Sequence, residues 1–165
     1  GSRTGRGADS TFLDDTLYRL CSGLGMERTE YLRMIADSFL ISADNAHGVH
    51  PDHPEKSDPT NRPCLNKGIV IKYHGGQKYT TDACSAARMK RICRLADVPY
   101  QTYANRSDMA GGSTLGNLSA ARVPMESVDI GLPQLSMHSA VETGGLKDTW
   151  YLLKGLGCFF SDGGV

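Results

Sequence analysis

"GIVIKYHGGQKYTTDACSAARMKRICRLADVPYQTYAN", residues 68–105, decides the fold. It opens with a β-branched apolar run, "GIVIKY", that reads as a buried strand ending in Lys72 and Tyr73. "HGGQKY" reads as a hairpin turn. Thr81 or Asp82 then caps a helix running to about Ala96, and Pro99 introduces another strand, "YQTYAN". Strands alternating with helices mean an α/β layered architecture, a three-layer sandwich around a mainly parallel sheet.

The pattern continues outward on both sides. Upstream, Leu13, Leu17, Leu20, Cys21 and Leu24 recur at three and four, an amphipathic helix with Asp9 or Ser10 as its cap. A shorter helix spans Arg28 to Ile35, and "SFLIS" is a strand stopping at Asp44. Residues 45–66 carry Pro51, Pro54, Pro59 and Pro63, too many for a helix interior or a central strand, so they form an extended loop. Downstream, "RSDMAGGSTLGN" is a glycine-rich loop entering a short helix that ends near Ala121. "SVDIGL" is a fourth strand, "PQLSMHSAVETGG" follows it, and Asp148 to Phe160 form the last helix.

At 165 residues this is one domain without internal repeats. Eighteen basic residues balance eighteen acidic ones, which gives no footprint for nucleic acid and no polybasic membrane anchor. "RMKRICR", residues 88–94, reads as the solvated face of a helix. The five cysteines include no CxxC pair and read as reduced thiols, not a disulfide framework or a zinc ribbon. No run of about 18 apolar residues and no signal peptide is present, so the expected location is cytoplasmic.

In open α/β sheets, functional residues gather beyond the carboxyl ends of the strands. Asp44 with His47, His50 and His53 lies in such a place, as do Lys72, Asp108 with its glycine loop, and His138. A carboxylate and a neutral imidazole are a common ligand set for zinc. Taken singly, Asp44 also reads as a turn cap and His138 as a core histidine. His47 and His50 form an HxxH that Gly48 and Pro51 keep out of a helix. A metal-binding loop built from His47, His50 and His53 therefore stays open. "GGSTLG" can present backbone N–H groups to a carbonyl, but it is neither a P-loop nor a GxGxxG fingerprint.

The blocks "ISADNAHGVHPDHPEK", "NKGIVIKY", "QKYTTDA", "VPYQTYANRSDMAGGSTLGN" and "VDIGLPQLSMHSAVETGGLKDT" together resemble the aspartyl aminopeptidase and vacuolar aminopeptidase I family of zinc exopeptidases, the bacterial members above all. The resemblance runs through nearly the whole chain. It implies a zinc-exopeptidase (phosphorylase/hydrolase-like) catalytic domain with two metal ions, zinc by expectation and Mn²⁺ or Co²⁺ as alternatives. It further implies substrates that are peptides with a free N-terminus, and a large homo-oligomer.

Residue by residue, the resemblance makes Asp44 a ligand of one metal and His138 a ligand of the other. His47 and His50 become supporting residues linked to catalysis or subunit contacts. Lys72 matches the lysine that faces an acidic substrate side chain in acid-specific members. Asp108, Gly111 and Gly112 match the loop that positions substrate. The family's general-base glutamate, its remaining ligands and its dimerisation insertion have no counterpart in these residues and are expected upstream of Gly1. The expectation is thus the C-terminal part of a dinuclear aminopeptidase domain, inactive by itself. A non-catalytic oligomerisation or interaction module from a truncated gene product is the alternative.

Overall fold

The computed structural model describes residues 2–161. Five helices alternate with strands: α1 (Phe12–Gly23), α2 (Arg28–Ala36), β1 (Phe39–Ala43), β2 (Ala46–His47), a 3-10 turn (Pro54–Lys56), β3 (Ile69–Tyr73), α3 (Ala83–Leu95), β4 (Tyr100–Ala104), α4 (Leu115–Arg122), β5 (Glu126–Gly131), β6 (Pro133–Leu135), β7 (Thr143–Gly144) and α5 (Leu146–Ser161). Local chemistry sets their starts. Asp82 accepts from the Ser85 N–H at 2.8 Å while the Ser85 hydroxyl accepts from the Asp82 N–H at 3.0 Å, a reciprocal cap on α3. Glu27 and Glu30 cap α2 in the same way.

The central sheet has the order β1-β5-β3-β4. β1 with β5 and β3 with β4 are parallel and β5 with β3 is antiparallel, so the sheet is mixed, with two of its three pairings parallel in keeping with the expectation. The cause is long-range: β5 inserts between β1 and β3 in the direction of β1, and no local pattern encodes that choice. "HGGQ" does make a tight turn, with the Gln77 N–H donating to the His74 carbonyl at 2.9 Å. The chain then enters α3, however, and no second strand returns, so there is no hairpin. The short strands β2, β6 and β7 form a second sheet.

The two faces of the main sheet differ sharply. Ile69, Ile71, Val128 and Ile130 face Ala86, Met89, Ile92 and Cys93 of α3, with Leu152 and Phe159 of α5 packed alongside. Each such aliphatic side chain contributes about 1.5–3 kcal/mol when fully buried. On the other face Ser42 pairs across to Asp129, and Lys72 to Tyr103. That polar row is covered by α4 at one end. A Cβ on Gly116 would stand 2.7 Å from the Asp129 carboxylate, so only glycine lets the helix approach so closely. α1 and α2 pack beyond it on Val123.

Asp148 joins the last helix to the exit of the proline-rich loop. It is fully buried, and its carboxylate accepts from the Asn66 N–H at 2.6 Å and the Gly68 N–H at 2.8 Å. Removing it leaves two backbone donors without an acceptor. Asp148→Ala is expected to lower stability by about 2–4 kcal/mol. A urea midpoint unchanged within error would contradict that.

Candidate functional site

A cavity of about 510 Å³ opens over the polar face. Its floor is Lys72, only 2% exposed. The Lys72 ammonium donates to the main-chain carbonyls of Asp44 at 2.7 Å and Asn45 at 3.3 Å, and it lies 5.3 Å from the centre of the Tyr79 ring. Burial pulls its pKa below the usual lysine value, opposed by the charges of Asp44 and Asp129. Asp129 itself is fully buried. Its carboxylate accepts from the Thr80 N–H at 2.7 Å and hydroxyl at 3.1 Å, which fixes the turn leading into α3.

Asp44 sits where β1 ends and the chain bends into β2. Its N–H donates to the Ile130 carbonyl at 3.0 Å, so the end of β5 holds it in place. Tyr79 and Tyr103 form one wall, their rings 6.2 Å apart, and burial raises both phenol pKa values so that each stays protonated. The loop 105–114 folds back over the face, tied by the Lys78 ammonium donating to the Gly111 carbonyl at 2.7 Å. On the far side, His138 takes a left-handed conformation, φ 69°, and its N–H donates to the Glu142 carboxylate at 2.6 Å.

Asp44, His47, His50, Lys72, Gly111, Gly112 and His138 therefore line one cavity. Asp108 does not line it. Its carboxylate is bound instead by the Arg106 guanidinium at 2.6 and 2.7 Å, and it is Arg106 that reaches the cavity. The gathering at a common strand edge also needs correcting. β3 and β4 run against β1 and β5, and Lys72 arrives through the length of its side chain across the polar face. Sequence reasoning missed Asp129, Tyr79 and Tyr103. A charged residue interrupting "VDI" between two apolar neighbours was the available signal for Asp129.

The side chains of Asp44, His47 and His138 make no hydrogen bond or ion pair among the described residues, so a carboxylate and two imidazoles stand free in one cavity. Burial, followed by the nearby His138 and Lys72 charges, pulls the His47 pKa below its ordinary value and keeps the ring neutral, the form that binds metal. His50 and His53 are occupied: His50 accepts from the Asp52 N–H at 3.2 Å, and His53 stands 3.3 Å from the Glu55 carboxylate. Among the described residues no group of three or more His, Cys, Asp or Glu is arranged to hold a metal ion, neither the three loop histidines nor Asp44, His47 and His138 together. The donors fit part of a zinc shell, which takes about four ligands.

An α/β layer with an unpaired carboxylate and two unpaired imidazoles in a cavity on its sheet offers part of a metal shell. The sequence profile of the aminopeptidase I zinc metalloprotease (M18) family matches residues 1–160. The chain belongs to that family. It is 47% identical over 161 residues to a "Probable M18 family aminopeptidase 2" of Clostridium acetobutylicum, covering 98% of this chain and 37% of that protein. Its fold superposes on Ape4 in the cryo-EM structure of the Ape4 and Nbr1 complex with a TM-score of 0.95 at 41% identity, covering 99% of this chain and 31% of that one. The mApe1 dodecamer of Saccharomyces cerevisiae gives a TM-score of 0.81 at 26% identity, covering 97% and 35%. The chain thus spans about a third of the length of the relatives it matches. Among the described residues, no helix is long and apolar enough to cross a membrane.

Proposed function

We propose that these residues are the C-terminal part of a dinuclear zinc aminopeptidase site, in which Asp44 ligates one metal and His138 the other. The observation that carries this reading is that these two side chains, far apart in sequence, line one cavity unpaired. Bound metals would supply Lewis acidity and a water of lowered pKa. The chain's own residues do the rest. Lys72 clamps the backbone of Asp44 from below and sets a positive charge in the floor, which favours an acidic N-terminal side chain on the peptide. His47 and His50 flank the metal ligands, and Gly111 and Gly112 keep the loop beside the cavity free of side chains that would crowd a peptide.

The general base and the other ligands are assigned to the part of the M18 relatives that these residues do not span. The chain alone is therefore inactive, and this is directly testable. Purified chain with Zn²⁺, Mn²⁺ or Co²⁺ is expected to give no turnover of Asp- or Leu-p-nitroanilide. Grafted in place of the matching segment of the Clostridium acetobutylicum protein, it is expected to give chelator-sensitive turnover. Robust activity of the chain alone, or a well-folded but inert graft, would refute the assignment.

A second reading, an interaction module, has one observation in its favour. Leu146, Trp150, Leu153 and Phe160 form a stripe along α5, each more than half exposed, and such faces mark contact surfaces. A relative assembles as a dodecamer. A monomer in size-exclusion chromatography, alone and mixed with a full-length relative, would remove this reading.

A further inference from the structure

Lys56, Lys72 and Arg106 are the lysine and arginine residues lining the cavity, and they are not equally available. The Lys72 ammonium is buried against the Asp44 and Asn45 carbonyls. The Arg106 guanidinium is engaged by its two bonds to Asp108 and by a third, from Nη1 to the Glu55 carbonyl. Lys56 is exposed, and its ammonium has no hydrogen bond or ion pair among the described residues. One free side-chain ammonium therefore stands at the mouth, well above the floor.

The turn that carries this ammonium is held in place. Lys56 ends the 3-10 turn Pro54–Lys56, and Arg106 grips the carbonyl of the residue just before it, reaching across from the opposite loop. Pro54 and Pro59 stiffen the backbone on either side. Of the neighbouring acids, Glu55, whose charge interacts with that of Lys56, faces His53 at 3.3 Å, and Asp58 is already engaged. Its Oδ1 accepts from the Asn61 and Thr60 N–H groups and their side chains, and the Asn61 backbone bond first, then the side-chain bonds, hold its pKa down at about 2. A cation whose carrier loop is fixed pays less ordering entropy when it meets an anion.

We infer that Lys56 binds a carboxylate of the peptide downstream of its first residue, either an acidic side chain at the second or third position or the C-terminal carboxylate of a short peptide. This rests on the aminopeptidase reading, in which the first residue enters toward the buried floor and the remainder leaves through the mouth. Lys72 and Lys56 then read two different carboxylates. Asp108 is a positioning residue in this scheme, since it holds the Arg106 that pins the Lys56 turn.

The test is equilibrium binding to the purified chain, followed by amide chemical shifts in ¹⁵N-labelled protein. Three probes suffice: Ala-Ala-Ala-amide, Ala-Asp-Ala-amide and Ala-Ala-Ala free acid. At least one carboxylate-bearing probe is expected to bind about two- to fivefold more tightly than the neutral amide, the range of an exposed ion pair. Which of the two does so identifies the carboxylate. Lys56→Met and Lys56→Gln are expected to erase the difference and Lys56→Arg to keep it. Asp108→Asn is expected to reduce it, with the shift changes spreading to residues 53–58. Equal binding of all three probes, or a preference that survives Lys56→Met, overturns the inference and leaves the aminopeptidase reading standing. Absence of binding by every probe overturns the inference, and the graft assay decides the aminopeptidase reading separately.

Discussion

Asp44→Asn, in this chain grafted into the Clostridium acetobutylicum relative, is expected to cost at least about 10³-fold in kcat, about 4 kcal/mol of transition-state stabilisation. It should also remove one bound metal ion per chain. His138→Ala should do the same at the other metal, and the double variant should be little worse than either single one, because the site acts as a unit. Folding of the metal-free protein should hardly register the changes. Neither side chain makes a hydrogen bond or ion pair among the described residues, so the unfolding free energy should move within the range of a surface substitution, about ±0.5 kcal/mol. Metal analysis together with kcat decides the matter. A variant that keeps both ions and turns over within threefold of the parent would remove Asp44 from the ligand set.

Gly131→Ala is expected to have the opposite profile, a loss of stability first. A Cβ there would lie 2.0 Å from the Asp44 carbonyl oxygen and 3.0 Å from the carbonyl carbon of Asn45. Both are backbone atoms, so no side chain can swing away. The buried junction of β1, β5 and β2 must open, and the Lys72 ammonium loses one or both of the carbonyls it donates to. We expect a cost of about 3 kcal/mol or more, which for a domain of this size lowers the melting temperature by roughly 6–12 °C. Thermal denaturation of the chain without metal measures it. An unchanged melting curve would show that the junction is looser than these distances imply.

The sequence made the individual elements legible because their signals are local. Thr81 or Asp82 announces α3, "GIVIKY" announces β3 and Pro99 announces β4, whereas β2 (Ala46–His47) lies inside the stretch read as an extended loop. Strand direction was not legible, since β5 takes opposite orientations to its two neighbours and nothing within Glu126–Gly131 states which neighbour it will follow. The site divides in the same way. Asp44 and His138 were singled out by their places beyond strand ends, and their ligand roles came from a resemblance that spans the whole chain, not from spacing. Lys72 was found as a strand-end residue, but its burial under Asp44 depends on pairing between distant strands. Asp108 was placed in the site through its neighbours in sequence, whereas the Arg106 fork turns it outward.

The position of β5 has a consequence for how the chain comes off the ribosome. It is the strand that joins the β1 edge to the β3–β4 pair, yet it is synthesised after all three. About 90 residues separate the pairing partners Ala43 and Ile130, so at usual elongation rates β1 waits roughly 5–20 s for its neighbour. During that interval Ile41 and the unpaired edges of β1 and β3 are open to any other nascent strand. A chaperone that shields extended apolar segments should therefore raise the soluble yield, and slowing translation after residue 105 should lower it.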